Sequence, residues 1–182
     1  MKIEATCSTE FKAYHNSGHR KKTDIRYVVI HCTEGPTAKS AAEYFTKISS
    51  GGSTNLVLDD KICYKTLEDL LVPWGAPPLN TYGFHIEQAG YVEWSKEEWL
   101  LHTNTIKRCA YKTALRCHWY NIPTVFLSVQ DLKDGKFGIT SHNNISLAFH
   151  KTDHTDPGKH YPYDFYMEQV IYYFDHIKIP LI

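Results

Sequence analysis

The chain has 182 residues, of which 42% are hydrophobic and 22% charged, with 20 basic residues against 20 acidic ones. That length suits one domain around one core, and the composition excludes a disordered or collagenous chain. The balanced charge lacks the basic stripe that nucleic-acid binding needs. No apolar run is long enough to span a membrane. The start, MKIEATCSTEFK, is too polar for a signal peptide, so the chain is expected to fold in a cytoplasm, as a monomer. Cys7, Cys32, Cys63, Cys109 and Cys117 are odd in number and scattered, with no C-x-x-C pair, and are read as free thiols.

Residues 1–24 are polar and include the basic stretch Ser17-Gly18-His19-Arg20-Lys21-Lys22, read as a solvated loop. Tyr27-Val28-Val29-Ile30-His31-Cys32 is a short β-branched run, which predicts a strand buried on both faces and ending near Thr33-Glu34-Gly35-Pro36. On that strand Cys32 points away from His31 and is expected to be a core thiol. Residues 38–49 predict a short helix, and 54–58 with 62–66 a hairpin around Asp59-Asp60-Lys61. Prolines at 73, 77 and 78 make 72–80 a surface loop. Residues 82–87 predict a second buried strand that ends in a carboxylate, Glu87.

Ser95 with Glu98 three residues on is a capping box. Trp99, Thr103, Ile106, Ala110, Thr113 and Cys117 follow at helical spacing, so one long helix is predicted up to Asn121-Ile122-Pro123. A last helix is predicted from Pro162, with Tyr163, Met167, Val170, Phe174 and Ile177 on one face. The sum is a single α/β domain, 1–182, with a mixed central β-sheet flanked by helices.

Chemistry concentrates at three places: His31 and Glu87 at strand ends, and a loop region with His142 and the cluster FHKTDHTDPGKHYP (149–162). Ends of neighbouring strands commonly share a cleft. A catalytic zinc takes three ligands of the His and carboxylate type and leaves one position to water, beside a carboxylate that is not a ligand. Two histidines, an aspartate and a glutamate would meet that need, although no H-E-x-x-H spacing singles them out. His150 and His160 are read as surface residues.

VVIHCTEG (28–35), FHIEQAGY (84–91) and SHNNIS with DHTDPG (141–158), in this order, resemble the zinc-dependent N-acetylmuramoyl-L-alanine amidases of type 2. That family shares its fold with peptidoglycan-recognition proteins and includes many bacteriophage endolysins. The likeness covers about 25–178. It implies one zinc ion held by His31, His142 and Asp156, with Glu87 as the acidic residue that activates water. It also implies peptidoglycan as the substrate, cut between N-acetylmuramic acid and L-alanine, in the setting of phage lysis. His154 stands where many members carry a lysine and is expected to donate to the developing oxyanion, a contribution of roughly 3–4 kcal/mol for one donor. The alternative makes His154 a ligand with Asp156 as its partner.

Two further positions depart from the pattern. Asn55 and Gly75 occupy places where the family often has histidines lining the cleft. Asn55, Trp74 and Asn80 are therefore the expected substrate contacts. Rival readings are a bacterial amidase that recycles soluble muropeptides and a peptidoglycan-binding module without turnover.

Overall fold

The computed structural model describes residues 6–177; the first five residues of the polar segment and residue 178, where the family-like region was expected to end, lie outside the described residues. The β-branched run forms β1 (Tyr27–Cys32), buried at every position, as a strand covered on both faces requires. Around it stand β2 (Leu56–Leu58), β3 (Cys63–Lys65), β4 (Gly83–Gln88) and β5 (Gly138–Ser141), in the order β3-β2-β4-β1-β5. β4 and β5 both run parallel to β1, and β2 and β3 form the predicted antiparallel hairpin. Its turn is closed by Asp59, whose Oδ1 accepts the Lys61 and Ile62 N–H groups at 2.8 and 3.0 Å.

The α-helices among the described residues are α1 (Ala38–Phe45), α2 (Lys96–Leu101), α3 (Thr103–Tyr120), α4 (Val129–Lys133), α5 (His142–Phe149) and α6 (Tyr163–His176). One sheet face, with Val28, Ile30, Phe84 and Ile86, packs on Ile106 and Ala110 of α3 and on Tyr166 and Val170 of α6. The other, with Tyr27 and Val29, packs on Ala76 and Leu79 of the proline loop and on Ile145 and Ala148 of α5. α1 closes that second layer by placing Ala38 and Ala42 against Val57. Between these covers the carboxyl ends of β1 and β4 stay open.

Several expectations are corrected. The long helix breaks at His102, whose backbone (φ −106°, ψ 36°) belongs to neither half. The Ser95–Glu98 capping box starts α2, as expected. Asp60 takes the end of α3, accepting Thr105 N–H and Oγ1–H at 2.9 Å each while its other oxygen meets His102 Nδ1 at 2.9 Å. β5 and α5 occupy what was read as loop. Cys7 and Cys63 form a disulfide, so the cysteines are not all free; Cys32, Cys109 and Cys117 are buried thiols. Arg20 is buried, and its guanidinium donates to the carbonyls of Asp69, Asn80, Thr81 and Gly83, so the basic stretch is partly a strut.

Both outer strands of the sheet are paired by chain outside it. Along β3, Ser8 N–H donates to Cys63 O and Lys65 N–H to Ser8 O, both at 2.8 Å. Along β5, Leu127 N–H donates to Ile139 O at 2.8 Å and Ile139 N–H to Val125 O at 2.9 Å.

Candidate active site

Parallel pairing sets His31 directly opposite Glu87, so both side chains leave the sheet on the same face and at the same height. β5 runs beside β1 and ends at Ser141, whose Oγ caps α5 by accepting Asn144 N–H at 3.2 Å; His142 is therefore the first residue of a helix that starts next to His31. The returning chain brings in Asp156, held by Asn143 N–H donating to its carbonyl at 3.0 Å. His31 Nδ1 lies 3.0 Å from Asp156 Oδ2, and His142 Nδ1 lies 3.1 Å from Oδ1. That second contact is close enough for ion pairing but lies off the hydrogen-bonding direction, which leaves Oδ1 without a hydrogen-bond partner. All three residues are buried, and one ligand atom from each lies within 4.8 Å of the others. They form the floor of an open cleft of about 1480 Å³ with Glu87 beside them.

Burial raises the Glu87 carboxyl to about 7, against the pull of His31 and with the help of the Asp156 charge. Its Oε2 is buried without a hydrogen-bond partner. Asp156 goes the other way: burial pushes it up, but the three histidines around it outweigh burial and hold it well below the usual carboxylate range. Burial lowers His142. It also pulls on His31, where the Asp156 hydrogen bond and the Glu87 charge prevail and raise the imidazole. Two carboxyl groups with pKa values pushed apart is the arrangement that separates a proton carrier from a permanent anion.

His154 stands at the rim with its side chain 62% exposed, its Nδ1 3.6 Å from Asp156 Oδ1 and its ring stacked on His142 at 4.4 Å. It lies outside the three-residue ligand group. The neighbouring Asp156 carboxylate raises its pKa, which favours the donor form. Trp74 lines the cleft and is 42% exposed. Asn80 also lines it, with Oδ1 accepting the N–H groups of Gly75 and Ala76 at 3.1 and 2.7 Å. Asn55 is not brought to the cleft: it is fully buried, donating to Glu68 O and accepting His85 N–H at 3.0 Å, so it acts inside the sheet.

Sequence reasoning passed over three residues. His85 is fully buried two residues before Glu87 and meets His31 at 3.0 Å. His15 stacks on the Trp74 indole at 4.4 Å, and Ser17 Oγ accepts the indole N–H at 2.8 Å. Period-2 alternation after Phe84 marks position 85 as facing the His31 side, which is a signal for the first. Nothing local marks the other two, which lie more than 50 positions from Trp74.

Two imidazole nitrogens and a carboxylate oxygen converging on one point match the donor set and number that zinc takes at a catalytic site. The unpartnered Asp156 Oδ1 is a buried acceptor with lone pairs to offer such an ion. The residues present therefore fit the metal.

A metal-ready donor set beside a carboxyl group that titrates near neutrality is the equipment of a hydrolase. The family model for N-acetylmuramoyl-L-alanine amidase matches residues 21–159, and the chain belongs to that family. A comparison with curated protein sequences returns no match. Among solved structures, the chain is similar to the Staphylococcus aureus hydrolase AmiA, solved in complex with its ligand: TM-score 0.75, 15% identity, 96% of this chain and 85% of that one covered. It is also similar to the PlyG catalytic domain (TM-score 0.62, 12% identity, 97% and 99% covered). The endolysin amidase LysCS from Clostridium intestinale follows with a TM-score of 0.58, 11% identity and 91% and 94% covered. At these identities the likeness establishes the fold, a single domain with a mixed five-stranded sheet.

Proposed function

We propose that this amidase is zinc-dependent and cleaves the amide bond between the lactyl group of N-acetylmuramic acid and L-alanine of the stem peptide. The observation that carries the reading is the convergence of His31, His142 and Asp156 within 4.8 Å, beside a carboxyl group raised to about 7. These three would hold the ion, which when bound lowers the pKa of water toward ~7 and polarises the substrate carbonyl. Glu87 Oε2 accepts the proton of the attacking water as the new C–O bond forms. Negative charge then collects on the carbonyl oxygen, where His154 donates an N–H from the rim. As the C=O bond re-forms and the C–N bond breaks, Glu87 returns its proton to the departing amine. Trp74, braced by His15 and Ser17, offers an indole face along the cleft on which a sugar or peptide can pack.

The setting we favour is phage lysis, with the enzyme held in the host cytoplasm until the membrane opens; similarity to the endolysin amidase LysCS supports it. The test is zinc stoichiometry together with release of L-alanine amino groups from purified peptidoglycan, for wild type and Glu87→Ala. One zinc in both and release by wild type alone is the expected result. Zinc without release from any wall tested would favour a binding module, and absence of zinc would sink the metal reading. Activity on intact walls rather than on soluble muropeptides separates lysis from recycling.

A further inference from the structure

The buried imidazole of His85 has no part in the chemistry above, yet it touches the centre. Its Nδ1 lies 3.0 Å from His31 Nε2, on the opposite side of the His31 ring from the nitrogen that faces Asp156. It comes from the middle of β4, where a strand buried on both faces would ordinarily carry an apolar side chain. The protein has made room for it. A methyl group at Gly75 would fall on the His85 ring, and one at Gly83 would fall 2.6 Å from its Nε2, so both neighbouring positions are bare where the imidazole lies. Its backbone is tied down as well: the N–H donates to Asn55 Oδ1 at 3.0 Å, and the carbonyl accepts from Asn55 N–H at 3.2 Å and Thr54 Oγ1–H at 3.0 Å.

We propose that His85 is a positioning residue that fixes the tautomer and ring angle of His31, so that Nδ1 of His31 presents its lone pair to the metal. The inference rests on the zinc reading of the same site. A neutral imidazole that ligates through Nδ1 carries its proton on Nε2, and that N–H, buried here, needs an acceptor. His85 Nδ1 is the acceptor within reach. On this reading His85 carries its own proton on Nε2, which is buried with no hydrogen-bond partner among the described residues, a cost that the ordering of His31 has to offset. Position 75 is a glycine, and the space beside it is filled by an imidazole delivered from the sheet.

The test compares His85→Leu, which keeps the bulk and removes the acceptor, with His85→Asn, whose amide oxygen can take the position of Nδ1 but leaves a void. Zinc affinity is measured by competition with a chelator, and the melting temperature of the metal-free protein is measured in parallel. Zinc binding weaker by about 10- to 100-fold in the leucine variant, with affinity within about threefold of wild type in the less stable asparagine variant, is the expected pattern. A packing role alone would instead make affinity follow stability; equal affinities in all three proteins, or equal losses in both variants, would overturn the inference. Should the leucine variant not fold, nitrogen NMR of the zinc-loaded wild type reads the same point: protonation of His85 at Nε2 supports it and at Nδ1 overturns it. A wild type that takes up no zinc overturns the metal reading itself and this inference with it, whereas zinc-binding wild type with indifferent variants overturns only the place given to His85.

Discussion

Glu87 is held where its charged form is disfavoured, which a proton carrier needs and a stable fold does not. Its folded pKa of about 7 lies above the ordinary 4.5, so its contribution to the stability of the metal-free protein is fully present below about 4.5 and is lost as pH rises through 7. The shift corresponds to at most roughly 3 kcal/mol. Glu87→Gln should therefore melt higher than wild type at pH 8 without metal and nearly alike at pH 4; equal melting at both values would mean that burial does not act on this group as described. His154, by contrast, is exposed, and His154→Ala should keep zinc and stability while turnover falls about 10²- to 10³-fold in a wall-release assay. Full turnover would remove it from the mechanism. Of these side chains, Glu87 and His31 were legible because a strand end is a recognisable place. His85 was legible only in part: alternation sets it on the His31 side, but a polar residue inside an apolar run carries no local mark of the residue it will meet on the neighbouring strand.

The helices following β4 show how a tertiary contact overrides a periodic pattern. Apolar spacing from Trp99 to Cys117 predicts one helix, and the spacing is real: Trp99, Ile106, Ala110 and Cys117 are all buried. The backbone nevertheless turns at His102, because Asp60 from the hairpin accepts the Thr105 N–H and hydroxyl and pairs with His102. A side chain from 45 positions away thus supplies the cap that no residue before α3 offers. Asp60→Ala should cost about 1–2 kcal/mol in urea unfolding, with the cleft unaffected; an unchanged midpoint would show that α3 does not depend on this cap. β5 escaped notice for a different reason. Gly-Ile-Thr-Ser is four residues long, opens on a glycine and has no alternation to count, yet it is wholly buried because α5 and β1 close over it.

The family match begins at residue 21, and much of what precedes it is wound into the molecule. Ala13 N–H donates to Thr66 O at 2.9 Å, His15 and Ser17 brace Trp74, and the Cys7–Cys63 bond ties the segment to β3 across 56 positions. A link over that distance restricts the unfolded chain and stabilises the fold by about 2–4 kcal/mol. Adding reductant should lower the melting temperature by several degrees; a melt insensitive to reductant would take the bond out of the account. Disulfides persist outside reducing compartments, which fits the action on the wall proposed above.

The segments lying along β3 and β5 have a meaning for how copies of the protein meet. An uncovered outer strand is a template on which a second chain can add its own, the first step toward swapped dimers and fibrils. Here residues near Ser8 and residues 125–127 already occupy those hydrogen-bonding positions, so these positions on β3 and β5 are closed to a second chain. In the lysis setting proposed above, where the enzyme would be stored until release, such a finish would keep it dispersed.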